Sequence, residues 1–207
     1  QLLQRAADKK PIRVGLIGTG DRCGAHIESL KNLKDSHNVE VSAVCDVWRL
    51  NRESAAARVE EAFAKKPFQT SRFGELLARD DVDAVVIATP DFAHTPIMIE
   101  ALKAGKDVYV EKPMSHSVWE GRQVIAAAKK FNRIVMHGTQ QRSDGRRIRD
   151  MKLMRDGIIG KIVMARGTVY KKDNRVPIGH GKPGKAPDTL DYNLWLGPAP
   201  ERPYMVR

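Results

Sequence analysis

The chain has 207 residues, 42% hydrophobic and 29% charged, with a formal net charge of +11. That apolar content excludes a disordered chain, and the length supports one full domain plus part of another. The longest apolar run, AVVIA at 84–88, is far short of the roughly 20 residues that span a bilayer, so no membrane segment is expected.

IRVGLIG (12–18) is a β-branched run that stops at glycines, and AHIESLKNLK (25–34) has apolar residues at helical spacing, which predicts strand, tight turn and helix. VEVSAVCD (39–46) and RLNRESAAARVEEAFAKK (49–66) predict a second strand and helix. After a short helix at 73–79, DAVVIATP (83–90) reads as a strand buried on both faces. Thr95 is expected to cap a helix with Pro96 at its first position and Gly105 as its stop. DVYVEK (107–112) is the next strand. Ser117 and Glu120 have capping-box spacing and open a helix that ends near Asn132. RIVMHGTQ (133–140) and GRRIRDMKLMRDG (145–157) complete the alternation.

Strands alternating with helices in this way predict an α/β fold with a doubly wound parallel sheet. Its right-handed crossovers bring the carboxyl ends of the strands to one crevice. From Lys161 the rhythm changes: KIVMARGTVY (161–170) reads as a strand and the Gly-, Pro- and Lys-rich stretch after it as a long loop. The expected division is residues 1–160 as a dinucleotide-binding Rossmann domain and 161–207 as the incomplete beginning of a second domain.

Gly18 and Gly20 fill the first two places of G-x-G-x-x-G, where a tight turn lets a helix N-terminus face a pyrophosphate; Cys23 holds the third place, with Gly24 after it. A plain strand-to-helix turn looks much the same. Asp46, at the end of the second strand, adds context: a carboxylate there accepts from ribose hydroxyls and repels a 2′-phosphate, favouring NAD over NADP. It also suits a helix cap, and Arg49 and Arg52 stand close enough to offset part of the repulsion. His94 is either a residue ahead of a helix or a group facing the crevice. Glu111 and Lys112 are either a solvated ion pair or a working pair, in which a desolvated Lys112 exchanges a proton with a substrate hydroxyl and Glu111 orients it or binds cofactor. The histidines have no ligand spacing, so no metal is expected, and Cys23 and Cys45 are expected to be reduced thiols.

Between Arg142 and Lys185 stand thirteen Lys or Arg and only four acids. Nucleic acid is the obvious polyanion, but the stretch has no reader motif and a single aromatic, Tyr170. A solvated face, or one covered by another domain or subunit, accounts for it better.

GLIGTG, VCD, ATPDFAHTP, GKDVYVEKP and GTQQRS follow one another in the order and spacing of the Gfo/Idh/MocA family of NAD(P)-dependent oxidoreductases, and the chain resembles that family over nearly its whole length. LDYNLWLGPAPERPY (190–204) is similar to the segment that leads into the second domain in one branch. The resemblance implies that Gly18, Thr19, Gly20, Asp21 and Arg22 line the cofactor phosphates and that Asp46 meets the adenosine ribose. Thr89, Pro90, Asp91 and His94 would lie beside the dinucleotide, and Glu111 would touch the nicotinamide half. Lys112 would be catalytic, with His94 as a second candidate. Gln140 would close the nicotinamide side and Trp195 would cover it. The Lys112–Pro113 peptide is expected to be cis.

The implied cofactor is NAD, and the implied reaction is hydride transfer with a sugar, inositol or related polyol. The alternatives are an NAD-dependent glycoside hydrolase with transient oxidation and a non-catalytic NAD-binding module. Two departures stand out: Cys23 replaces the third glycine, and an open-sheet α+β domain, with the Asp and His that assist the lysine, is expected beyond Arg207. The chain is expected to form a homo-oligomer or to associate with that portion. Because it opens at Gln1, a leader is expected to have been removed. The expected location is the cytoplasm, or the periplasm if that leader was a signal peptide.

Overall fold

The computed structural model describes residues 10–168 and 181–206. In chain order the elements are β1 (Ile12–Ile17), α1 (Asp21–His37), β2 (Val39–Cys45), α2 (Arg49–Phe63), β3 (Phe68–Thr70), α3 (Phe73–Leu77), β4 (Ala84–Ile87), a 3-10 turn (Asp91–Ala93), α4 (His94–Lys103), β5 (Asp107–Glu111), α5 (Val118–Phe131) and β6 (Val135–Gly138). A second 3-10 turn (Gln140–Ser143), α6 (Gly145–Arg155), β7 (Lys182–Gly184), α7 (Tyr192–Leu196) and β8 (Tyr204–Val206) follow. Contacts divide the chain into two compact units, Gln1–Gly138 with Ala186–Arg202 and Thr139–Lys185 with Pro203–Arg207.

The first unit is built on a six-stranded sheet of order β3-β2-β1-β4-β5-β6, parallel throughout. Alternation along the strands fills two cores. Val14 and Leu16 of β1, Val41 and Val44 of β2 and Val86 of β4 pack with Cys23 and Ile27 of α1 and Ala55, Ala56, Val59 and Phe63 of α2. Val85 and Ile87 of β4 and Val108 and Val110 of β5 face the other way, against Leu76 of α3, Met98 and Leu102 of α4 and Val124 of α5. Burying the central strands on both faces is what their near-continuous apolar runs require. The order reverses between β1 and β4, so the crevice of a doubly wound sheet opens beyond Ile17 and Ile87, which are paired in register.

Helix ends follow local chemistry in most places. Ser117 caps α5 by accepting from the backbone N–H of Glu120, and the Glu120 carboxylate accepts from the N–H of His116 rather than from that of Ser117 itself. After α4 the N–H of Lys106 bonds to the carbonyl of Ala101 and that of Gly105 to Leu102, with Gly105 at φ +75°. This Schellman ending is the stop read from Gly105.

Several expectations need correction. Helix α4 begins at His94, so Thr95 lies inside its first turn, where its hydroxyl donates to Glu120 at 3.2 Å instead of capping. Residues 161–168 contain no strand, and 169–170 lie outside the described residues; Ile162, Val163 and Met164 are exposed. The short strands β3, β7 and β8 were not foreseen; β7 and β8 form an antiparallel pair in the second unit. By contacts the first compact unit runs to Gly138 and takes in 186–202, a segment that hydrogen-bonds to the loop after β2.

Gly18 is the residue the switch point cannot replace. Its φ is +81°, and a Cβ would lie 2.5 Å from the backbone nitrogen of Thr89 and 2.7 Å from the carbonyl carbon of Ala88, neither of which can rotate away. Gly18→Ala is expected to destabilise the protein by about 2 kcal/mol or more, from left-handed strain plus the clash. Gly20 has φ −71° and its nearest neighbour would be the Asn51 Nδ2 at 3.8 Å. Gly20→Ala should therefore cost much less, a contrast that urea unfolding of the two variants will measure.

Candidate active site

The carboxyl ends of β1, β2, β4 and β5 deliver the candidate residues. Beyond β1 the chain turns through Gly18, Thr19 and Gly20 into α1, whose N-cap, Gly20, makes no side-chain cap hydrogen bond. Asp21 and Arg22 form the exposed start of the helix. Open helix N–H groups at a glycine turn are where an anion is held, and the clear side of Gly20 leaves room for one. Cys23 fits the third glycine place as a small apolar side chain: it is buried among Val14, Leu16 and Ile27, and burial, with the nearby Asp46 charge, pushes its thiol up to about 12. Burial likewise pushes Cys45 up to about 12, so both cysteines are packing thiols.

Asp46 ties the first two strand ends together. Its Oδ2 accepts from the Thr19 backbone N–H at 2.6 Å and the Thr19 hydroxyl at 3.2 Å, and its Oδ1 accepts from the Trp48 N–H at 2.8 Å. A carboxylate has about four acceptor positions, so these three donors leave capacity for a ribose hydroxyl. Arg52 donates to the Asp46 carbonyl and Arg49 pairs with Glu53, so neither guanidinium is paired with the Asp46 carboxylate.

At the end of β4, the Thr89 hydroxyl oxygen is buried and has no hydrogen-bond partner among the described residues. Pro90 and Asp91 are exposed, and Asp91 lies 3.7 Å from His116. His94 is 1% exposed, with Nδ1 2.6 Å from the Pro113 carbonyl and Nε2 2.9 Å from that of Thr89. Both ring nitrogens face backbone, which leaves none for a substrate. The catalytic role expected of His94 gives way to that of a clamp between the β4 loop and the turn after β5.

That turn is the cis Lys112–Pro113 peptide, as expected. Glu111, 4% exposed, accepts through Oε1 from Arg22 Nε at 2.6 Å and faces His26 Nε2 at 3.0 Å, while Oε2 accepts from the Lys112 N–H at 3.2 Å. Burial alone would raise the Glu111 carboxyl; the Arg22 and Lys112 hydrogen bonds and the neighbouring positive charge outweigh it and hold it below the usual carboxylate value. Burial first, then the Arg22 charge, pushes His26 below its ordinary value. A neutral His26 therefore carries its proton on Nε2 and donates it to Glu111. Lys112 is exposed, so the desolvation expected around it is not supplied by the described residues, and its ammonium forms no ion pair among them.

Gln140 opens the 3-10 turn after β6 and belongs to the second unit, so the strand expected to carry it ends two residues earlier, at Gly138. Trp195, 40% exposed, stacks on Tyr192 in α7. The segment before α7 forms a strap: Leu190 bridges to Trp48, the Trp48 indole N–H donates to the Thr189 hydroxyl at 3.2 Å, the Arg49 N–H donates to the Thr189 carbonyl and the Asp191 N–H to that of Val47. Just beyond α7, Gly197 lies against Phe92, whose ring a Cβ would meet at 2.5 Å. The strap and His26 were missed from sequence; for His26 the available signal was its place four residues after Arg22 on one helix face.

A parallel sheet with a glycine turn at its switch point and a carboxylate ending β2 defines a dinucleotide-binding Rossmann unit. The chain belongs to the Gfo/Idh/MocA oxidoreductase family with an NAD-binding Rossmann fold, whose model matches residues 12–139. It is 30% identical over 156 residues to a glycosyl hydrolase family 109 protein from Shewanella baltica, covering 73% of this chain and 33% of the relative. Myo-inositol 2-dehydrogenase from Lactobacillus plantarum is similar in structure, with a TM-score of 0.66 and 26% identity over 74% of this chain and 44% of that one. The 3-ketoreductase KijD10 from Actinomadura kijaniata, solved with NADP and TDP-benzene, has a TM-score of 0.64 and 25% identity over 72% and 43% of the two chains. The chain thus spans about a third of the length of the curated relative and less than half of these two structures. No helix among the described residues is long and apolar enough to cross a membrane.

Glu111 gives a pH test. Its lowered carboxyl stabilises the fold fully above the ordinary value of 4.5, and that stability is lost as pH falls through the lower folded value. Glu111→Gln is expected to flatten the acid limb of the stability curve below about pH 4.5, measured by chemical unfolding from about pH 3 to about pH 7.

Proposed function

We propose that this chain is the cofactor-binding portion of an NAD-dependent oxidoreductase acting on a CH–OH group of a sugar, inositol or related polyol. The observation that carries this reading is Lys112, an exposed lysine with no ion pair among the described residues, which follows Glu111 at the end of the strand beside the switch-point strand. The cofactor, when bound, supplies the hydride acceptor. Gly18 to Arg22 would hold its phosphates, Asp46 its adenosine ribose, and Thr89, Pro90 and Asp91 would lie along it. Lys112 would exchange the proton of the substrate hydroxyl while Glu111 fixes the backbone beside it. Trp195 would cover the nicotinamide side. Residues 161–185 would belong to the start of a further domain that supplies the rest of the substrate pocket and the contacts between subunits.

A second reading, redox-neutral glycoside hydrolysis with transient oxidation, is favoured by the family 109 relative. Incubating the full-length protein with NAD and a panel of sugars, inositols and aryl glycosides separates the two. Net absorbance at 340 nm marks the first, and glycoside cleavage without it marks the second.

Lys112→Met keeps length and removes the proton chemistry. It is expected to leave NAD affinity unchanged and to lower turnover by about 10²–10⁴-fold, the usual range for a lost acid-base group; near-normal turnover would reduce Lys112 to a structural residue. Asp46→Ala removes a ribose acceptor and a repulsive charge, so it should narrow the preference for NAD over NADP in parallel titrations. Tighter binding of NADP by the unmutated protein overturns the assignment.

A further inference from the structure

Two donors from one helix converge on one buried oxygen. Arg22 and His26 lie four residues apart on α1, and Arg22 Nε and His26 Nε2 stand 2.6 Å and 3.0 Å from Glu111 Oε1. The other carboxylate oxygen accepts from the Lys112 N–H, so the carboxylate links helix α1 to the backbone of the lysine. The two donors are not equivalent. The Arg22 side chain is 41% exposed and stands in the first turn of α1, beside the uncapped helix N-terminus that attracts an anion. His26 is buried, and the Tyr109 ring stands edge-on to it at 5.3 Å. Tyr109 is boxed in turn by Gly138, where a Cβ would meet the Tyr109 hydroxyl at 2.8 Å. A phosphate arriving at the helix N-terminus competes with Glu111 for Arg22, because a guanidinium pairs equally well with carboxylate and phosphate. It cannot compete for His26.

We propose that His26 is a positioning residue: it holds the Glu111 carboxylate, and through it the Lys112 backbone, in place when Arg22 turns to the cofactor phosphates. This rests on the reading of the site given above. The groups facing the carboxylate are Arg22, His26 and the Lys112 N–H, with Tyr109 behind His26. His26 lowered by burial and by Arg22 stays a neutral donor at neutral pH, so its hold does not depend on its own charge.

The test follows Lys112 amide hydrogen exchange by NMR in the full chain, with and without NAD, in wild type, His26→Leu and His26→Gln. Leucine fills the space without a donor, whereas glutamine returns an N–H at similar reach. In wild type the Lys112 amide should be protected in both states. In His26→Leu it should stay protected without NAD, where Arg22 remains on Glu111, and exchange about 10-fold faster with NAD bound, the change in local opening that a lost hydrogen bond of about 1.4 kcal/mol produces. His26→Gln should restore protection. Exchange in NAD-bound His26→Leu within about twofold of wild type, or faster exchange in both states alike, overturns the proposal, as does a glutamine variant no better than leucine. If His26→Leu does not fold, His26→Asn, with its donor too short to reach the carboxylate, takes its place under the same criteria. Failure of the wild-type chain to bind NAD would overturn the reading of the site, and this inference with it; binding with an unchanged leucine variant overturns this inference alone.

Discussion

The first unit depends on one close approach, that of Gly18 to the backbone of Ala88 and Thr89. Strands β1 and β4 are neighbours only because the sheet reverses direction there, and the chain leaving β1 has to turn across the end of β4 at a separation no Cβ allows. With that turn fixed, α1 points its N-terminus over the crevice, Thr19 reaches Asp46 on one side, and Arg22 and His26 reach Glu111 on the other. A single left-handed glycine thus sets the spacing between the Asp46 and Glu111 ends of the crevice.

The two edges of the sheet solve the problem of buried charge differently. At the amino edge Asp83 is fully buried and held bidentately by Arg13, with both contacts at 2.9 Å, and the Lys106 ammonium donates to the carbonyls of Arg79 and Val82. Both buried charges there are held by hydrogen bonds, and breaking such a pair by removing one partner costs about 3–5 kcal/mol. At the carboxyl edge the matching is incomplete: the Thr89 hydroxyl has no partner among the described residues and the Lys112 ammonium no ion pair. Polar capacity left over on the crevice side is what a binding edge offers.

What the sequence made legible was local. The glycine turn, the acid ending β2, the Gly105 stop and the Ser117 cap are set by residues within a few positions of one another, and each was placed correctly. β3 is three residues long, too short for any period to register, and was read through. Thr95 looked like a cap because its type suits one, but its hydroxyl goes to Glu120 on another helix. His94 could be read either as a residue ahead of a helix or as one facing the crevice, and only the fold puts its ring between two carbonyls. His26 and Glu111 are 85 positions apart, and Trp48 and Thr189 are 141 apart; no windowed reading connects such pairs.

The strap from 189 to 191 makes the first unit discontinuous in the chain. A ribosome that has released β1 to β6 still has residues 139–185 to make before Thr189 can reach Trp48, several seconds at about 5–20 residues per second. The loop after Asp46 therefore stays unfastened on its Thr189 side until the strap is made, whatever the state of the sheet beside it.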